Sequence, residues 1–398
     1  MQCGTALATS RDVSLAIDEI AAHLEAQLSG APDWVVLAHD AGVDSDALRA
    51  AWRRRWPDVQ LHQVTSCGGV MGSFGLQRGP GAIAAFGLRD REGVFGCAAA
   101  PLAVDSDGTL DGSSVAAALE RASQRAGRPG EAPDLLFVST VPGFEEQVLG
   151  AIEAEVGSGV PIAGGSAADD DVSGKWSVGD ADASYSSGVV ISALYPSTPP
   201  SFVFSSGYVP AGPRGVITRA EGRRIYSIDD EPAAEVYDRW TGGSIRAALD
   251  AGRGEVLTAT TLFPLGWRVD EGGQRYVLAH PAEVLADGSL TVMTRFETGQ
   301  AVELMTGSTA NLVARPGHVV EMAKRESEVA TAVRGALMIY CAGCMLSVGD
   351  AMCEVPPLVD ESLGAPFLGL FTFGEQGCPA ADVNFHGNLM ISLVVFHG

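Results

Sequence analysis

Apolar residues in this chain come in short, nearly unbroken runs, separated by amphipathic stretches and small-residue turns. Runs of this kind, at 34–39, 134–140 and 336–341, are what strands buried on both faces look like. Each is followed by a stretch with helical spacing, at 46–55, 144–156 and 350–363. A second strand comes next, at 59–65, 161–162 and 367–373, then a loop of small residues, then a closing strand at 82–88, 188–194 and 389–396. The order strand, helix, strand, loop, strand thus occurs three times, which predicts three variants of one supersecondary unit.

Between these units, 3–8 reads as a strand and 13–28 as a helix, with Leu15, Ile17, Ile20, Leu24 and Leu28 near helical spacing. A strand at 94–99 precedes an alanine-rich helix at 114–126 that Ser113 would cap. Residues 195–213 then change character, with prolines at Pro196, Pro199, Pro200, Pro210 and Pro213. Proline has no amide hydrogen to give to a ladder, so this stretch predicts a boundary or edge strands. The expected domains are 1–213 and 214–398. In the second, 215–228 reads as a hairpin around Glu221-Gly222, and 232–240 and 245–249 as helical. Short strands are expected at 257–262, 274–278, 290–296 and 301–305, then a helix over 311–334 interrupted near Pro316-Gly317. The predicted fold class is α/β (α+β): two domains of mixed β-sheets with packed helices.

A chain of 398 residues exceeds what one hydrophobic core usually supports, and 46% hydrophobic residues suffice for large cores. The formal charge of −23 opposes a phosphate backbone or an anionic membrane, so no nucleic-acid partner is expected. The first residues lack a basic start, and no apolar run approaches the roughly 18 residues of a membrane span. Seven scattered cysteines do not form a disulfide framework. A soluble, cytoplasmic protein is expected.

The polar groups that could carry chemistry lie in the three loops. Ser66-Cys67-Gly68-Gly69 belongs to the first and Gly164-Gly165-Ser166-Ala167-Ala168-Asp169-Asp170-Asp171 to the second. The third carries Gly374, Glu375, Gly377, Asn384 and His386. Glycines there allow a tight turn or a close approach to a bound molecule. The three carboxylates at 169–171 lack the spacing of a calcium loop, and Lys175 is near, so a solvated loop is expected and no metal. Cys341-Ala342-Gly343-Cys344 places two thiols between a strand and a helix, where ligation, redox chemistry or simple burial are open readings. Glu375 could accept from a ligand or cap local amides. His386 could carry a proton, ligate haem or serve structure. No Gly-x-Ser-x-Gly elbow, phosphate loop or HExxH helix occurs.

Taken in order, these motifs resemble the FIST family, named for F-box and intracellular signal transduction proteins. The resemblance rests on Ser66-Cys67-Gly68-Gly69, on 161–170 with Trp176 and Gly188, on Cys341-Ala342-Gly343, on 369–375, and on Asn384-Phe385-His386-Gly387-Asn388. It implies a sensory module with paired N- and C-terminal FIST domains that binds a small ligand, such as an amino acid or related metabolite. It further implies action on a signalling partner in trans. Some members resemble haem proteins that sense nitric oxide and regulate a histidine kinase. Where the family commonly has Cys-x-Gly-Arg, Cys344 replaces the arginine, so a cation able to pair with an anionic ligand is missing there. The loops are expected to converge on a cleft lined by Cys67, Gly164, Gly165, Ser166, Asp169, Cys341, Cys344, Gly374, Glu375, Asn384 and His386. The rival readings are a haem sensor and a cysteine enzyme using Cys341 or Cys344 with Glu375 as base.

Overall fold

The computed structural model describes residues 1–398 except 107, 271, 272, 274, 327–331, 381 and 382. It is a mixed α/β protein built on three six-stranded sheets, with a further nine-stranded sheet. The three sheets follow one plan. In the first, Trp34–His39 pairs in parallel with Gln60–Thr65 and antiparallel with Ile83–Arg89, which in turn pairs with Gln2–Leu7. In the second, Leu135–Thr140 lies between Ile162–Ser166 and Gly188–Tyr195, with Val94–Pro101 outside. In the third, Val333–Cys341 lies between Phe367–Thr372 and Met390–His397, with Ser201–Ser206 at the edge.

Sequence reasoning anticipated the repeat but not what each loop leads to. Every small-residue loop opens into a β-hairpin that leaves its own sheet and joins a neighbour. Gly69–Gly72 of the first unit pairs with Phe367–Thr372 of the third, and Val178–Gly179 of the second pairs with Gln60–Thr65 of the first. Glu375–Ala380 of the third pairs with Ile162–Ser166 of the second. The exchange closes a ring, so no unit completes its sheet alone. The predicted loop around Glu375 and His386 is therefore corrected to a hairpin, Glu375–Ala380 with Val383–Gly387. Its irregular Gly, Cys and Pro content hid the strand, which is held by pairing with a distant edge rather than by its own pattern.

Alternation explains why the strands read as continuous apolar runs. Trp34 and Val36, Leu135 and Phe137, and Leu337 and Ile339 point inward to one core shared by all three sheets. Trp34 meets Phe137 edge-on at 5.9 Å and Phe396 at 6.2 Å, and its Nε1 donates to Ser192 Oγ. The intervening Val35 and Leu37, Leu136 and Val138, and Ala336 and Met338 face outward against helices. Two of these helices begin at aspartates, Asp12 and Asp44, whose side chains accept from the first-turn amides.

The nine-stranded sheet is contained within residues 209–306, between the first strand and the first helix of the third unit. It packs around its own core, which includes Ile225, Tyr237, Leu265 and Phe296. Residue 213 lies inside the strand Val209–Glu221.

Four further expectations need correction. Residues 257–262 read as a strand because of their threonines, yet Leu257–Thr260 is one helical turn. The hydroxyls of Thr260 and Thr261 bond back to the Leu257 carbonyl, the local competition that threonine offers a strand. The helix expected at 350–363 begins earlier, as Ala342–Val348, followed by a 3-10 turn and then Val355–Leu363. Ser113 lies in the first turn of its helix, with its amide bound to Asp111, and does not cap it. Helix Thr309–Glu326 runs through Pro316 without interruption. Proline leaves the Leu312 carbonyl without its helical donor, and the buried Tyr340 hydroxyl donates to it instead, at 3.2 Å. Residue 274 of one expected strand, and 327–331 of the expected long helix, lie outside the described residues.

Candidate functional site

The three loops meet at the C-terminal ends of the parallel strand pairs. The Ser166 amide donates to the Gly374 carbonyl, the Cys67 amide to the Phe371 carbonyl, and the Ala168 amide to the Thr65 carbonyl. Gly165 pairs with Glu375 across the exchanged strand. Ser166, Cys67, Cys341 and Glu375 are thus brought together, and all are buried.

Glu375 has no exposed surface. Its Oε1 accepts from Thr372 Oγ1 at 2.8 Å and its Oε2 from the Met390 amide at 3.0 Å. Burial, reinforced by Cys341, pushes its carboxyl well above the usual range. The Cys341 thiol is likewise pushed up, by its hydrogen bond with Cys344 and by burial. Cys67 rises to about 12, chiefly by burial and then by Asp170 and Asp169. These are packed groups whose charged forms burial disfavours, and thiols of raised pKa are poor nucleophiles.

A second network lies beside this centre. Ser166 Oγ donates to Glu145 Oε1 at 2.6 Å, and Arg223 from the insertion donates to both Glu145 and Glu146. His386 Nδ1 lies 3.1 Å from Glu146 Oε1. The carboxylate and imidazole atoms of Glu145, Glu146 and His386 lie within 4.8 Å of one another, close enough for a metal ion. Arg223 already bridges the two carboxylates, so the place of a cation is taken. His386 also does not suit an axial haem ligand, since its side chain is fully buried and a Cβ at Gly374 would overlap it.

The remaining predicted residues serve local structure. Gly164 adopts φ +147°, and a Cβ there would overlap the Val138 carbonyl oxygen. Asn384 accepts from the Ile162 amide at 2.8 Å and donates to the Val160 carbonyl at 3.0 Å, fixing the exchanged hairpin. Asp169 Oδ2 accepts from the Lys175 amide, and Asp170 Oδ1 from the Gly68 amide. Cys344 is buried 3.5 Å from the Tyr208 hydroxyl. Among the described residues, Cys353 and Cys378 do not join Cys341 and Cys344 in a ligand cluster.

Of the predicted residues and these cysteines, only Cys378 lines the large cleft, of about 1310 Å³, which lies where the insertion meets the third unit. Edge strand Ser201–Ser206 and helix Thr309–Glu326 supply Phe202, Phe204, Arg315, His318 and Met322. The insertion supplies Arg268, Arg275 and Tyr276. Arg268 reaches Glu303 and the Tyr276 hydroxyl, and Arg275 reaches Glu326 and the Pro379 carbonyl. Tyr208 stands on the cleft wall and touches Cys344 behind it. Sequence reasoning missed this wall. Its one signal was Arg315 and His318 flanking Pro316-Gly317, basic residues inside a helix of an acidic chain.

A closed ring of exchanged hairpins with an inserted sheet, and a cleft at their seam, defines a two-part α/β binding scaffold. The chain belongs to the FIST family of sensory signal-transduction domains: the FIST N domain model matches residues 33–231 and the FIST C domain model residues 233–378. No curated relative matches the sequence. Among solved structures, the crystal structure of cyanuric acid hydrolase from A. caulinodans is similar at 12% identity, covering 100% of this chain and 99% of that one, with a TM-score of 0.36. At that score the likeness defines no common fold. No helix among the described residues is long and apolar enough to cross a membrane.

Proposed function

We propose that this protein is a cytoplasmic FIST-type sensor whose small ligand occupies the cleft between the insertion and the third unit. A partner signalling protein, such as a histidine kinase, would read the change in trans. The observation that carries this reading is the cleft itself: about 1310 Å³, walled by aromatic and cationic side chains, at a seam where Tyr276 of the insertion and Phe204 of the edge strand belong to one core. Small-molecule sites favour such seams, and a ligand that touches both sides shifts their relative position. In this reading Cys341, Cys344 and Glu375 act behind the wall, through Tyr208, and do not touch the ligand. Native mass spectrometry of freshly purified protein, with thermal shifts against amino acids and related metabolites, tests it. An Ala314→Trp variant narrows the cleft, because Ala314 lines it. Binding that survives this change unaltered in a normally folded variant refutes the placement.

Haem is the second reading, and His318 is the observation that favours it. It is an exposed histidine on the cleft wall, near arginines that could meet propionates. His39, His62, His280, His386 and His397 are buried. A Soret band that appears with added haem and shifts in His318→Ala supports it; no band with haem in excess removes it.

A further inference from the structure

Arg315 is set apart from the other cations of the cleft. Its guanidinium donates to Ser205 Oγ and lies 3.5 Å from Met322 Sδ, while its Nε is buried with no partner. Among the described residues no carboxylate pairs with it, whereas Arg268 and Arg275 pair with Glu303 and Glu326. The described charged residues on the wall are Arg268, Arg275 and Arg315 against Asp270 and Glu326, and Glu303 holds Arg268 from outside the wall, three positive and three negative in all. The whole chain carries −23, so a cleft of balanced charge, in which Arg315 has no carboxylate partner among the described residues, runs against the general field. Burial without a counter-charge is a cost that pushes the Arg315 pKa down, and an anion placed against it would remove that cost.

Resting on the cleft reading above, we infer that the ligand is a small monocarboxylate with an apolar body, its carboxylate held by Arg315 and its body against Phe202, Phe204 and Tyr208. A guanidinium offers a carboxylate two parallel N–H donors, which suits a single planar anion. One cation without a carboxylate partner favours a monoanion over a phosphate dianion, because the other two arginines are already neutralised. Phe202, Phe204, Tyr208 and Met322 present apolar surface on the same wall. The family arginine that Cys344 replaces is thus not required for an acidic ligand, since the cation comes from a different element.

The test measures matched pairs by calorimetry and thermal shift on the full chain: acetate and acetamide, benzoate and benzamide, indole-3-acetate and its amide. Inorganic phosphate serves as the dianion control. At least one carboxylate is expected to bind about ten- to a hundredfold more tightly than its amide, the range for a charged hydrogen bond. Arg315→Met should reduce it to the level of the amide, and Arg315→Lys should retain part of the difference. Equal binding of acid and amide, or full binding by a folded Arg315→Met, overturns the charge assignment and leaves the cleft reading standing. Phosphate binding more tightly than every carboxylate overturns the single-charge argument. If neither member of any pair binds, the cleft reading and this inference fall together.

Discussion

Arg223→Met is the most direct probe of how the insertion is held to the ring. Arg223 lies in the turn between the strands Val209–Glu221 and Arg224–Ile228 of the inserted sheet, while Glu145 and Glu146 open a helix of the second unit and His386 sits on the hairpin exchanged from the third. The guanidinium therefore ties the insertion to the second unit, with 2.6 Å to Glu145 and a second bond to Glu146, and Glu146 in turn meets His386 of the exchanged hairpin. The Glu145 side chain is 2% exposed and those of Glu146 and Arg223 are 24%. Removing one member of a buried pair costs about 3–5 kcal/mol, and partial exposure here lowers the expectation to about 2–4 kcal/mol. Both carboxyls are held below the usual range: burial alone would raise them, but His386 and Arg223 outweigh it. A depressed carboxyl stabilises the fold above its unfolded value, about pH 4.3, and loses that contribution as pH falls through the folded value. The gap between wild type and variant should thus hold from pH 7 down to about pH 4.3 and narrow only below it, so the two are compared at pH 7 and at about pH 2.5. Urea unfolding followed by tryptophan fluorescence at both pH values measures it, with Arg223→Lys as an intermediate that keeps the charge. A loss of the same size at both pH values, or none beyond about 0.5 kcal/mol, would refute the clamp.

Other substitutions test the ring itself. Glu375 has a raised folded pKa, so its contribution is fully present below about pH 4.3 and declines as pH rises towards the folded value. Glu375→Gln should flatten that decline in pH-dependent denaturation, while costing about 1 kcal/mol at pH 4, because an amide oxygen cannot replace both acceptors. Gly164→Ala should abolish soluble expression or lower the melting temperature sharply. Gly150→Ala, in a helix with open space around it, should stabilise by about 0.5–1 kcal/mol. Tyr340→Phe should cost about 1–3 kcal/mol by orphaning the Leu312 carbonyl, and Pro316→Ala should recover part of it in a double-mutant cycle.

The strands and their order were legible because burial on both faces makes each central strand a continuous apolar run, as at 34–39 and 336–341. The exchange of hairpins was not, since nothing in Val178–Gly179 or Glu375–Ala380 announces a partner more than a hundred residues away. The meeting of Ser166, Cys341 and Glu375 followed from the repeat. What the repeat could not reveal is that the meeting point is packed solid, because burial depends on how three units close together. Arg315 was invisible for a related reason: a guanidinium on a helix is ordinarily solvated or paired, and only the surrounding wall shows that it is half-buried with no carboxylate partner among the described residues.

The filled centre and the open seam have one cause. A ring closed by strand exchange needs its crossing points to be narrow, so Gly164 and Gly165 stand where side chains would collide with Val138 or with Ile339 and Thr372. The polar groups that remain there are consumed in joining strands to one another, as Ser66 Oγ does in accepting from the Phe371 amide at 2.9 Å. A site crowded by that duty leaves few polar atoms for a ligand, among the described residues Asp169 Oδ1, Gln376 Oε1 and His386 Nε2. The insertion is under less of this demand, since its sheet is complete within residues 209–306 and it has a core of its own, while Tyr276, Val277, Leu278 and Met305 pack against the third unit. Its seam with the third unit can leave a cavity and an unpaired guanidinium at the cost of local stability alone. Tyr208 then stands between the two regimes, its hydroxyl donating to the Thr261 carbonyl at 2.8 Å and lying 3.5 Å from Cys344, which bonds to Cys341 against Glu375. A ligand that moves the cleft wall at Tyr208 therefore pushes on the point where all three units are joined, which is where a small displacement has most of the molecule to act upon.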